Sequence, residues 1–306
     1  MSETVFKIEI VEVGPRDGLQ NERTLVSTAD KVALVRRLIA AGARRIELTS
    51  FVNPSKVPQM ADAEAVVEQL GRVEGVTRIG LVLNERGAQR ALACGLEQIG
   101  AVASASDAFG IRNQGQDSAA SVAVAAAIIR SARAAGRTAQ VTISMAFGCP
   151  FEGAVDPRRV VEMAVRLSEA GPVEISLADT IGVAVPAEVS ALVRQVAAAI
   201  APLPVRGHFH NTRGTGIANV WAAIGAGARV IDTAVGGLGG CPFAPGAAGN
   251  VASEDTAYLL ARSGIATGLD LAQLVQTAQW LELVMGKPMP SMLSKPGVLA
   301  TSGDAA

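Results

Sequence analysis

His208 and His210 are the only histidines in this chain of 306 residues, and they stand two positions apart in the short run VRGHFH. Alternate side chains on a β-strand face the same way, so both imidazoles would share one face. Two imidazoles on one face are half of a metal site. A carboxylate is available from VEVGPRDGLQNE (residues 11–22), an apolar run that stops at Gly-Pro and delivers Arg16 and Asp17 side by side. Mixed nitrogen and oxygen ligands without a thiolate pair suit Mg2+ or Mn2+, with Zn2+ or Co2+ as alternatives. The competing reading is two core histidines bonded to backbone. The shared face, and a place at the end of a buried strand, favour metal.

Other polar residues raise the same question. Asp179, in LADT, is either a helix-capping aspartate or a catalytic carboxylate. Glu47 is a structural partner for Arg16 or a catalytic group, and the structural role is favoured. Asn250 opens NVASEDTAYLL, where it reads as a helix N-cap or, through its side-chain carbonyl, as a further ligand. Cys241 sits in GGLGGCPFAPGAAGN (236–250). A loop that rich in glycine suits a lid that excludes water, and its thiol is a candidate proton donor or acceptor.

Positioning these groups requires a frame. Strand-like runs occur at 7–13, 44–50, 77–83, 97–104, 138–147, 173–179, 205–210 and 229–235. Between them lie stretches such as STADKVALVRRLIAAGA (27–43), whose apolar residues recur at helical steps. Gly42, Gly136, Gly171 and Gly227 fall where helix C-caps belong. Ser27 or Thr28, Asp156 with Pro157, and Pro186 fall at helix starts. Strand–helix alternation of this length predicts an α/β chain closed as a (β/α)8 TIM barrel. An open doubly wound sheet is weakened by the lack of a Gly-x-Gly-x-x-Gly turn after the first strand. Additional C-terminal helices, from about residue 269 to 306, are expected to pack on the barrel as part of one domain. Active sites of such barrels lie at the C-terminal strand ends, where Arg16, Asp17, Glu47, Asp179, His208 and His210 all fall.

Composition narrows the function. A net charge of −1 and 3% aromatic residues argue against a nucleic-acid surface. The longest apolar run, ASVAVAAAII (120–129), is too short to span a bilayer and reads as a buried helix. Three widely spaced cysteines, Cys94, Cys149 and Cys241, fit free thiols. With no signal-like N-terminus, they make a cytoplasmic protein the expectation. We expect a homo-oligomer, a dimer or tetramer.

The motifs VEVGPRDGLQNE, ELTSFVNPSKVPQMAD (47–62), GCPFEG (148–153), EISLADTIGV (174–183), HFHNTRG (208–214) and GLGGCPFAPGAAGN (237–250) closely resemble those of the 3-hydroxy-3-methylglutaryl-CoA lyase family, in order and over nearly the whole chain. The resemblance implies a barrel that cleaves 3-hydroxy-3-methylglutaryl-CoA (HMG-CoA) to acetyl-CoA and acetoacetate. It implies a divalent cation on Asp17, His208, His210 and Asn250, with Arg16 facing the thioester carbonyl. Asp179 and Glu47 would line the site, His208 or Asp179 would act as base, and Cys241 would be the acid on a lid. Gln20, Arg112 and Arg213 are the candidate substrate contacts, Arg112 for a CoA phosphate.

One motif departs from the family pattern. His-x-His-Asp-Thr-Tyr-Gly-Gln is usual after the seventh strand, whereas here Arg213 stands in place of the tyrosine. A planar guanidinium can grip a carboxylate in a way a phenol cannot. The alternatives are therefore a lyase for citramalyl-CoA or a longer branched 3-hydroxyglutaryl-CoA. Less favoured are a condensing synthase, which usually carries a further C-terminal region, and an inactive acyl-CoA-binding barrel.

Overall fold

The computed structural model describes residues 7–240 and 249–295. Eight parallel strands close into a barrel in sequence order: β1 (Glu9–Glu12), β2 (Arg45–Ser50), β3 (Thr77–Leu81), β4 (Gln98–Ser104), β5 (Thr138–Ser144), β6 (Ile175–Asp179), β7 (Val205–Phe209) and β8 (Val230–Thr233). β8 pairs with β1, so no edge is left open. Every expected strand is present, each within the stretch read for it.

The helices are α1 (Thr28–Ala40), α2 (Ala63–Leu70), α3 (Glu85–Ala93), α4 (Asp107–Gln114), α5 (Ser118–Ala134), α6 (Pro157–Ser168), α7 (Pro186–Ala199), α8 (Gly216–Ala226), α9 (Ser253–Arg262) and α10 (Leu271–Met285). Their starts follow local chemistry. Ser27 accepts from Asp30 N at the head of α1, and Asp156 accepts from Arg158 N at the head of α6. Gly42 ends the first helical stretch at φ +97°, and a Cβ there would stand 2.2 Å from the Gly268 carbonyl oxygen. Only glycine fits that turn. The alanine-rich run 120–129 lies within α5, whose inner face is buried, and no helix among the described residues is long and apolar enough to cross a membrane. α10 packs against α1 and α9 on the outside of the barrel.

Strand register decides what faces the barrel axis. Ser176 pairs with Arg206 and Ala178 with His208 across β6 and β7, while Val11 pairs with both Asp232 and Arg45. Paired residues share a face, so Arg45, Glu47, Arg206, His208 and Asp232 point inward together. Phe209 and the isoleucines and valines of the alternate positions point outward into the helix layer, and both sets are buried.

Candidate active site

The turn that carries Arg16 and Asp17 is a single π-helical turn, Gly14–Gly18, in which the amides of Arg16, Asp17 and Gly18 all donate to the Val13 carbonyl. Such wide turns recur at functional sites. Beneath it, Glu12 Oε1 accepts from Gly14 N at 2.8 Å and Val235 N at 3.0 Å, tying this turn to the segment after β8. Burial pushes the Glu12 carboxyl up to about 7 despite those bonds.

The metal candidates converge. Asp17 Oδ2 lies 3.6 Å from His210 Nε2 and 3.9 Å from His208 Nε2, and one donor atom from each of the three residues falls within 4.8 Å of the others. Asn250 Nδ2 donates to the same Asp17 oxygen at 2.8 Å. The Asn250 carbonyl oxygen Oδ1 is buried and has no partner. A buried acceptor left empty costs stability unless something fills it, and a cation beside two imidazoles and a carboxylate would do so. The four residues fit a divalent ion. The capping role read for Asn250 does not hold: Ala252 is the N-cap of α9, and Asn250 forms a bridge with His210 instead.

Arg16 sits between two carboxylates. Its Nε donates to Glu47 Oε2 at 2.6 Å and its NH1 to Asp17 Oδ1 at 2.7 Å. Burial alone would lower the guanidinium's pKa, but Glu47 and Asp17 hold it above the ordinary value. Burial likewise works against the Asp17 charge, yet Arg16 and the two histidines keep it well below the usual carboxylate range. Burial raises Glu47, against the pull of Arg16. Glu47 is thus the structural partner of Arg16 in this geometry.

These groups line a chamber of about 700 Å³, together with Gln20, Arg112, Val102, Thr142, Ala178 and Thr180. That volume is in the range of small-molecule sites. Gln20 accepts from Ser50 Oγ at 3.2 Å, and the Arg112 guanidinium lies 4.1 Å from the Phe151 ring centre. Cys241 lies outside the described residues.

Two candidates are placed differently from the sequence reading. Arg213 is exposed and absent from the chamber wall; its NH1 donates to the carbonyls of Ile181 at 3.0 Å and Gly182 at 2.9 Å. It braces the turn after β6, because one guanidinium nitrogen ties two successive carbonyls of that turn to the segment after β7. Asp179 also faces that turn. Its two oxygens accept from Val183 N at 2.8 Å and Ala184 N at 3.1 Å, outside the chamber lining. Burial raises its pKa, the two amides opposing.

A chain of buried charge below the histidines was not anticipated. Arg45 holds Glu174 with two bonds at 2.7 and 3.0 Å, and Glu174 accepts from Arg206 NH1 at 3.0 Å. Arg206 Nε donates to Asp232, and Asp232 Oδ2 lies 3.0 Å from His208 Nδ1. Burial disfavours the Asp232 charge, but Arg206 and His208 keep its pKa low. Burial would lower His208, and Asp232 lifts it above its ordinary value. The available signal was charge at alternate positions of otherwise apolar strands.

Comparison with known proteins agrees with this geometry. The chain is 43% identical over 300 residues to an (R)-citramalyl-CoA lyase of Chloroflexus aurantiacus, covering 95% of each. It is 42% identical over 289 residues to a 3-hydroxy-3-isohexenylglutaryl-CoA/hydroxymethylglutaryl-CoA lyase of Pseudomonas aeruginosa, covering 94% of this chain and 96% of the relative. The structure of an HMG-CoA lyase from Acinetobacter baumannii in complex with coenzyme A and 3-methylmalate superposes with a TM-score of 0.93 at 38% identity, covering 100% of this chain and 99% of the other. The model of one family, HMGL-like, matches residues 7–281. A match of that length, on a barrel whose mouth gathers Arg16, Asp17 and both histidines, makes this protein a member of the HMGL-like family.

Proposed function

We propose that this protein is a carbon–carbon lyase that cleaves HMG-CoA to acetyl-CoA and acetoacetate, using a divalent cation held by Asp17, His208, His210 and Asn250. The observation that carries the reading is the buried, unpartnered Asn250 Oδ1 beside Asp17 and the two imidazoles, at the head of a chamber large enough for an acyl group. When bound, the cation would lower the pKa of the substrate's tertiary hydroxyl and orient it. Mg2+ or Mn2+ suits the mixed oxygen and nitrogen donors.

The chain's own residues supply the remaining chemistry. The hydroxyl loses its proton, the C2–C3 bond breaks, and its electron pair moves into the thioester as an enolate. Arg16, fixed by Glu47 and Asp17, lies where positive charge would stabilise that enolate oxygen. Of the two bases suggested by the sequence, His208 lines the chamber, whereas both Asp179 oxygens are occupied by backbone amides. With its Nε2 lone pair turned to the cation, His208 helps hold the hydroxyl, and the released proton passes to solvent in the chamber. Cys241 is the proposed acid that returns a proton to the enolate carbon. Arg112 and Lys56 on the chamber wall offer positive charge to the CoA phosphates.

A second reading, cleavage of citramalyl-CoA, is favoured by the 43% identity to a lyase of that name. The same bond breaks there, with pyruvate released in place of acetoacetate. Turnover of purified protein with Mg2+ on HMG-CoA, citramalyl-CoA and longer 3-alkyl homologues decides between them. The highest kcat/KM on HMG-CoA is the result expected; activity confined to another thioester overturns the substrate, and activity on none overturns the lyase reading.

A further inference from the structure

The charged chain inside the barrel ends on His208, and its last link has directional consequences. An ionised carboxylate only accepts hydrogen bonds, so His208 Nδ1, 3.0 Å from Asp232 Oδ2, must carry the proton. That leaves the Nε2 lone pair facing Asp17 and the chamber. We propose that Asp232 is a positioning residue that locks His208 in its Nδ1–H tautomer, and that Arg206 and Glu174 hold Asp232 in place to do it. The proposal rests on the reading of His208 as a cation ligand.

Arg206 makes the arrangement specific. Its guanidinium only donates, and it is clamped between Asp232 Oδ1 and Glu174 Oε1, itself held by Arg45. Arg206, Glu174 and Asp232 are 1%, 2% and 3% exposed, so water does not relieve the geometry. In Asp232→Asn the side chain keeps one acceptor, and Arg206 Nε claims it. The new NH2 group then faces His208 Nδ1, which must accept. The proton moves to Nε2, and the lone pair that would meet the cation is lost. Asp232→Ala imposes no tautomer, and His208 remains free to adopt the ligating one.

Two readouts test this. In Mg2+-loaded wild-type protein labelled with 15N-histidine, only two imidazoles contribute signals. The spectrum is expected to show His208 with its proton on Nδ1; a proton on Nε2 overturns the proposal without any mutant. Calorimetric titration with Mn2+ alone is expected to give affinity in the order wild type, Asp232→Ala, Asp232→Asn, the last weaker than wild type by at least about 10–100-fold. A merely structural role predicts the reverse order for the variants, since asparagine preserves shape; that order, or unchanged affinity in Asp232→Asn, overturns the proposal. His208→Ala separates the two layers of the argument. Its affinity should fall at least as far as that of Asp232→Asn, and undiminished Mn2+ binding would remove the ligand reading on which the proposal stands.

Discussion

Asn250 donates its side-chain amide to Asp17 across 2.8 Å, joining the segment after β8 to the turn after β1 and leaving the asparagine carbonyl oxygen aimed at nothing. That orientation is what a ligand needs. EDTA should abolish turnover, and Mg2+ or Mn2+ should restore it. Asn250→Ala should weaken Mn2+ binding by about 10–100-fold, measured by calorimetry. Full activity in a demonstrably metal-free preparation would end the metal reading.

Arg16→Gln should fold, because Glu47, already raised by burial, can take up a proton when its partner is lost. Turnover should fall by about 100- to 1,000-fold, the typical loss of one preorganised charge donor. KM should change little. A loss confined to KM would place Arg16 in ground-state binding.

Arg213→Tyr tests what the unusual motif means. With the guanidinium spent on the Ile181 and Gly182 carbonyls, every thioester should lose kcat/KM by a similar factor. Loss of about 1 kcal/mol of bracing should lower Tm by about 2–4 °C. A change in the ratio between HMG-CoA and citramalyl-CoA would return Arg213 to the substrate.

Glu254 gives a pH test. Both of its oxygens accept from Gly236 N at 3.1 Å, and burial pushes its pKa from 4.5 up to about 8. Between those values the folded chain keeps a proton that the unfolded chain releases. Its contribution is therefore complete below about pH 4.5 and is lost as pH rises through 8, at up to about 1.4 kcal/mol per pH unit. Glu254→Gln mimics the protonated side chain, so its Tm should fall less than that of the wild type between pH 6 and 9. Parallel Tm curves for the two proteins would refute the assignment.

The sequence by itself determined the barrel and the identity of its mouth. Alternating strand and helix periods, with turn glycines such as Gly42, are local signals, and eight of them in order leave few topologies. Asp17, His208 and His210 were legible because rare residues stand at strand ends at fixed spacing. Tertiary structure alone decided which atoms meet. Whether Asn250 caps a helix or turns to Asp17, and whether Arg213 enters the chamber or ties down a turn, each depend on partners elsewhere in the chain. The inner chain from Arg45 to His208 was hidden for the same reason. Its members lie on β2, at the residue just before β6, and on β7 and β8, and only closure of the barrel, which sets the register across its axis, brings their charges into contact.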